Sequence, residues 1–195
     1  MPHQIALTDH IRRYIDLREE EIAPLLSYFK PLIIKRKTNI LEEGKICKTN
    51  YFIASGCLRM FFVNRKGAEQ ITQLAIEGWW LSDYMSLSRQ TPSSFYIQAV
   101  ENCRLMALDQ SSEKALLKAF PGMEHYFRVV MQQAYAAAQM RIRYLYDFSR
   151  EELYRHFSMQ FPEFLQRIPQ YMLASFLGFT PEYLSEIRKK EAESR

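Results

Sequence analysis

The hydrophobic period of this chain changes once, near residue 110, and that change sets its architecture. Between Pro31 and Asp109 the apolar residues come in short runs: LIIKR, NYFIAS, CLRMFFVN, EQITQLAI, SFYIQAV and CRLMALD. They are rich in Ile, Val, Phe, Tyr and Thr, which fit a pleated, half-buried surface. Gly44, Gly56, Gly67 and Gly78 punctuate them at intervals of 12, 11 and 11 residues, near the strand-plus-turn spacing of a sandwich or barrel. Asn64-Arg-Lys-Gly67 is expected to be a hairpin turn, because Asn and Gly both tolerate positive φ. An antiparallel β domain follows from this pattern. Ahead of it, Thr8 to Phe29 has helical spacing, with Ile11, Tyr14, Ile15, Ile22, Leu25, Leu26 and Phe29 recurring and Glu19-Glu20-Glu21 opening its second part.

After Asp109 the period is helical. Ser111 to Phe120 predicts a short helix stopped by Pro121-Gly122, and a long helix follows to about Asp147 with no Gly or Pro inside. Its Phe127, Met131, Ala134, Ala138, Leu145 and Phe148 fall on one heptad seam, which Arg141 interrupts. Small alanines let helices approach closely, so pairing with a second copy is expected, ahead of packing on its own domain. Tyr135, Ile142 and Tyr146 form a partly apolar stripe expected to lie opposite the seam and to pack on the β domain. Ser149-Arg-Glu-Glu152 is a capping box that opens the next helix, which Pro162 ends. The predicted organisation is residues 1–120 as a β domain with N-terminal helices, 121–147 as a dimerisation helix, and 148–195 as a helical module.

The most informative stretch runs from Gln170 to Lys189: QYMLASFLGFTPEYLSEIRK. A helix–turn–helix needs a small residue where its helices cross, and Ala174 supplies it. It needs a residue at ease with left-handed φ, and Gly178 follows four positions later. Thr180 caps the second helix, Pro181 takes its first position and Glu182 sits in its first turn. Leu184 and Ile187 return the helix to the core. On this reading Gln170, Thr180, Glu182, Tyr183, Ser185, Arg188, Lys189 and Lys190 are the candidate DNA contacts.

Charge permits nucleic acid without demanding it: the formal net charge is +4, from 26 Lys+Arg and 22 Asp+Glu. From Phe148 to Arg195, however, seven basic residues meet seven acidic ones, so the module itself is neutral. Phosphate neutralisation drives non-specific affinity, and a neutral reader has a shallow salt dependence. Three cysteines, Cys47, Cys57 and Cys103, are too few and too scattered for an iron–sulfur cluster or a zinc site. Buried, reduced thiols in a cytoplasmic protein are expected. The scattered His3, His10, His125 and His156 offer no metal pair, and no metal or other cofactor is expected. Neither a signal peptide nor a membrane span is legible, and no nucleophile–base pair or phosphate loop points to an enzyme.

A β domain, a long pairing helix and a helix–turn–helix together resemble the Crp/Fnr family of bacterial transcription regulators. The resemblance is carried by Gly44, Tyr51-Phe-Ile-x-x-Gly56-x-x-Arg59, Gly67-x-Glu69, Ser94-x-x-Ile97-x-Ala99 and Gln170 to Lys190. It covers nearly the whole chain and is similar to the short forms found in Bacteroidetes-type bacteria. It implies an α+β fold with a cyclic-nucleotide-binding-like jelly roll, a homodimer along Phe127, Met131, Ala134, Ala138, Arg141 and Leu145, and palindromic DNA targets. It also implies an effector pocket at Trp79, Trp80, Ser82, Asp83, Ser93, Ser94, Ala138 and Gln139.

The departures are chemical. In cAMP-binding members an Arg-Ser pair holds the cyclic phosphate; that position falls here at Ser93-Ser94, and no cation replaces the arginine. Serines alone forgo a charge-assisted bidentate contact of roughly 1.5–3 kcal/mol. The polar pair that reads the base falls at Ala138-Gln139, half of it gone. Weak or absent cAMP binding is expected, and Trp79 and Trp80 suit either an unidentified small-molecule effector or the core of a ligand-free roll. The recognition helix carries Pro181, Glu182 and Glu186 where activators typically place Arg, Glu and Arg, and no β wing follows it. The expected function is a cytoplasmic, homodimeric DNA-binding regulator with a degenerate sensor. The alternative is a ligand-binding or protein-interaction module that has lost DNA binding.

Overall fold

Alternation of side chains builds the first part of the molecule. The computed structural model describes residues 2–193, with side chains as far as residue 190. In chain order its elements are α1 (Pro2–Arg12), α2 (Glu19–Leu26), β1 (Lys30–Ile34), β2 (Asn39–Leu41), β3 (Thr49–Ser55), β4 (Leu58–Val63), β5 (Glu69–Ala75), β6 (Trp80–Leu81) and α3 (Tyr84–Arg89). Then come β7 (Tyr96–Ala99), β8 (Cys103–Asp109), α4 (Gln110–Ala119), α5 (Gly122–Asp147), α6 (Arg150–Gln160), α7 (Pro162–Arg167), α8 (Gln170–Leu177) and α9 (Pro181–Glu193). The strands form two four-stranded sheets, ordered β1-β8-β3-β6 and β2-β7-β4-β5. The mixed α+β class and the antiparallel roll are those expected.

Register decides what each face buries. Across β4 and β7, Leu58 and Met60 face Ala99 and Ile97, and all four join Ile53, Leu105 and Ala107 in one core cluster. The intervening residues of β3 and β8, Phe52 and Met106, point the other way. They pack with Leu7, Ile11, Leu25, Leu116, Met123 and Tyr126 from α1, α2, α4 and α5. Each fully buried aliphatic or aromatic side chain contributes about 1.5–3 kcal/mol, so the second cluster fixes the helices as firmly as the first fixes the sheets. Gly56 ends β3 at φ +104, and a Cβ there would stand 2.6 Å from the Cys103 sulfur. Only glycine allows that approach. All three cysteines are buried, and none forms a disulfide.

Several local expectations change. The first helix begins at Pro2, and the chain leaves helical form after Arg12 until Glu19, so the Thr8–Phe29 periodicity belongs to two helices. Asn64 does not take positive φ; among the turn residues only Gly67 does, at +78. Asn64 instead shapes the turn through its side-chain oxygen, which accepts from the N–H groups of Lys66 and Ala68. The stripe of Tyr135, Ile142 and Tyr146 does not pack on the β domain: these residues are 67%, 57% and 88% exposed. At 3.6 residues per turn they are not opposite the seam at all. Met131, Ala134, Tyr135, Ala138, Ile142, Leu145 and Tyr146 share one face about 120° wide.

By contact density the chain forms two compact units. The first takes the chain up to Phe62 together with Gln73–Gln132; the second takes Val63–Thr72 and everything from Gln133 onward. Helix α5 therefore contributes its beginning to one unit and its remainder to the other, and the β4–β5 turn belongs with the C-terminal helices.

Candidate functional site

In the second unit, local sequence dictates the C-terminal helices. Ser149 Oγ accepts from the Glu152 N–H while Glu152 accepts from the Ser149 N–H, the reciprocal cap that starts α6. Helix α8 ends at Gly178, whose φ of +77 closes a left-handed cap, with the Phe179 N–H reaching back 2.8 Å to the Ala174 carbonyl. Thr180 Oγ1 accepts from the Tyr183 N–H and Pro181 takes the first position of α9. Ala174, Leu184 and Ile187 are buried, as a close crossing of α8 and α9 requires. Phe157 rings with Phe161, Phe164 and Phe176 fill the space beneath them.

The candidate contacts divide by exposure. Gln170, Thr180, Glu182, Ser185, Lys189 and Lys190 are exposed, and Tyr183 and Arg188 are half-buried. Tyr183 is already engaged within the unit. Its hydroxyl donates to Glu151 Oε1 at 2.7 Å and Arg150 lies over its ring, which anchors α9 on α6. That donation, ahead of the nearby Lys190 and Arg150 charges, holds the Glu151 carboxyl below its ordinary range. Ser185 donates to the Pro181 carbonyl one turn back.

In the first unit, the expected effector residues separate. Ser82, Asp83 and Ser93 come together and are buried. Asp83 caps α3, accepting from the Met85 and Ser86 N–H groups, and also accepts from the Ser93 hydroxyl at 2.6 Å. Ser82 donates to the Thr49 carbonyl and lies 3.3 Å from the Cys47 sulfur. A further residue that nothing in the sequence marks completes the network: Ser86 donates to the Thr91 carbonyl and accepts from the Cys47 N–H. Every one of these groups is satisfied from within. Among the described residues the one buried arginine is Arg59, whose register places it on the sheet face away from the Leu58–Met60 core. There it donates to Gln98 and lies over the Phe61 ring.

Trp80 turns into the aromatic core. Its Nε1–H donates to the Tyr126 hydroxyl at 2.8 Å, and that hydroxyl is hydrogen-bonded to His10 Nδ1 at 2.8 Å. Burial, ahead of the Arg13 charge, lowers the His10 pKa to about 4, which keeps the ring neutral. Neither His10 nor Tyr126 stood out in the sequence. Trp79 and Ser94 are exposed; Ala138 and Gln139, on the second unit's part of α5, are exposed as well. Along the expected seam Phe127 packs on Trp80 and Tyr126, whereas Met131 is half-buried and Ala134, Ala138 and Leu145 are exposed. Arg141 leaves the seam for the carbonyls of Thr72 and Phe176. Among the described residues no group of His, Cys, Asp and Glu is arranged to hold a metal, and no helix is long and apolar enough to cross a membrane.

A family model described as the cyclic nucleotide-binding domain matches residues 32–120. The cyclic AMP receptor protein of Thermus thermophilus is 27% identical over 126 residues, a match that spans 65% of this chain and 58% of that protein. The crystal structure of the Thermus thermophilus catabolite activator protein matches with 25% identity and a TM-score of 0.55, over 91% of this chain and 85% of that one. Residues 32–120 thus resemble a cyclic nucleotide-binding domain, and the chain shares the fold of the Thermus catabolite activator protein. FixK2 from Bradyrhizobium japonicum shares the fold at 12% identity, with a TM-score of 0.72 over 85% of each chain. The matched residues run from within β1 through helix α4, and the Asp83 network lies among them.

Proposed function

We propose that this chain is a cytoplasmic, homodimeric DNA-binding transcription regulator whose cyclic nucleotide-binding domain does not take cAMP. The observation that carries the reading is the α8–Gly178–α9 unit, with a left-handed turn, a buried crossing and an outer surface of Gln170, Thr180, Glu182, Ser185, Lys189 and Lys190. Glu182 is suited to accept from a cytosine amino group in the major groove, and the Lys189–Lys190 pair to hold phosphates. The exposed apolar face of α5 supports pairing with a second copy, which would set two recognition helices about one DNA turn apart on a palindromic operator. The name of the Thermus relative points to cAMP, but in the Ser82–Ser93 cluster Asp83 is engaged by its own helix cap and by Ser93, and no cation is offered for a phosphate. The mechanism is a population shift, in which an unidentified small-molecule effector biases the paired helices.

The experiment is a gel-shift titration with random duplex DNA at low and moderate salt, beside a calorimetric titration with cAMP. Retarded complexes at low salt that weaken only gradually with salt, and no heat from micromolar cAMP, are expected. Absence of any complex at low salt overturns DNA binding; micromolar cAMP affinity overturns the closed cluster. One observation favours a second reading, a protein-interaction module: Glu182 and Glu186 are both exposed on α9, in a segment whose charges balance. That reading gains if DNA fails to bind.

A further inference from the structure

Strand β5 is the edge of its sheet, and an edge strand presents unpaired backbone groups. One hydroxyl satisfies two of them. Ser175 Oγ accepts from the Ile71 N–H at 3.0 Å and donates to the Glu69 carbonyl at 3.0 Å. A side chain of α8 thus does for residues 69 and 71 what a neighbouring strand would do. At the next residue, the Thr72 carbonyl accepts from the Arg141 guanidinium. The other terminal nitrogen of Arg141 donates to the Phe176 carbonyl at 2.8 Å, and the guanidinium lies 4.1 Å from the centre of the Phe176 ring. All of these groups belong to the second unit. Three segments, the end of the β4–β5 hairpin, the long helix and α8, meet at two adjacent residues of α8.

The chemistry of this joint makes it reversible. Among the described residues no carboxylate forms an ion pair with Arg141. Its charge is withdrawn from water, enough for burial to lower its pKa from the ordinary arginine value, yet a guanidinium stays protonated. Two carbonyls and a ring offset only part of that desolvation, and opening the joint returns the charge to water. An apolar seam has no such opposing force. Opposing forces of this kind are what a two-state element needs.

We propose that Arg141, Ser175 and Phe176 form a releasable latch that holds α8 against the edge of β5 and opens and closes as one unit. Its regulatory meaning rests on the reading of α8–α9 as a DNA-binding helix–turn–helix, because the latch would then tie that module to a strand of the cyclic nucleotide-binding domain. The latch itself does not depend on DNA.

The test is amide hydrogen exchange at Ile71 in the full chain. That N–H bonds to Ser175 and not to Arg141, so it senses Arg141 only through the latch. In Arg141→Leu, which keeps an apolar stem against Phe176, Ile71 should exchange at least about tenfold faster, as for a local opening. Ser175→Ala should do the same. The double variant should stay within about twofold of the faster single one, since an open latch cannot be opened again. Unchanged exchange at Leu105 in β8 shows that the fold is intact, and Arg141→Lys, whose single ammonium cannot span both carbonyls, serves if the Leu variant does not fold. Wild-type protection of Ile71 in the folded Arg141 variants overturns the latch, as do single effects that multiply in the double variant. Failure of the unaltered chain to bind DNA would sink the DNA reading while leaving this result standing.

Discussion

The two parts of α5 obey different rules although one helix spans them. Its first turns are interior: Met123 and Tyr126 have no exposed surface, and the Tyr126 hydroxyl is shared between Trp80 and His10. From Gln132 to Met140 every residue is exposed, and the apolar face continues through Ile142, Leu145 and Tyr146. Both parts have helical periodicity, so periodicity alone reports that a face is apolar and not what covers it. In the first part the covering is the chain's own core; in the second it is the proposed second copy.

The largest effect should come from the interior part. Tyr126→Ala removes a fully buried ring and strands two buried nitrogens, which should cost about 3–5 kcal/mol in chemical unfolding of the chain. A loss under 1 kcal/mol would mean that the first turns of α5 are not a core element. The exposed part should respond in the opposite sense. Ile142→Glu should leave thermal stability of the monomer nearly unchanged, while raising the dimer dissociation constant by about a hundredfold or more in sedimentation runs, because a charge is buried at a helix seam. A monomeric parent chain, or a variant that still dimerises as tightly, breaks the contrast between the two parts.

Smaller effects sharpen the interior side. Asp83→Ala removes the cap of α3 and the acceptor for Ser93, for a loss of about 1–3 kcal/mol. If the variant is as stable as the parent, the Ser82–Ser93 cluster is not held shut by Asp83. The smallest effect is a pH slope. The His10 pKa is about 4 in the folded chain against 6.5 for an ordinary histidine, so between those values the unfolded chain binds the extra proton. This contribution is fully present above about pH 6.5 and is lost as the pH falls toward 4. His10→Gln should flatten the melting temperature over that window. An unchanged slope would show that His10 is not held neutral in the folded chain.

The parts legible in sequence were those set by near neighbours. The Ser149–Glu152 box spans four residues, and the α8 turn needs only Ala174, Gly178 and Thr180, so both are plain in the text. Six strands were visible as apolar runs, while β2 and β6, three and two residues long, are too short for any period to register. The Ser82–Ser93 cluster and the latch were illegible for another reason. Cys47 meets Ser86 across 39 residues of chain and Ser175 meets Glu69 across 106, and single hydroxyls at such separations leave no spacing to read. Arg141 illustrates the cost. In the heptad it is an interruption; in the fold its side chain serves a different face from its seam neighbours.

The central claim is that a pair of these chains reads DNA through α8 and α9. Selection of bound duplexes from a random pool by the purified full chain tests it in one step. The account predicts enrichment of an inverted repeat with half-sites about one helical turn apart, lost in Ile142→Glu. Recovery of unenriched, random sequence at low salt would contradict it.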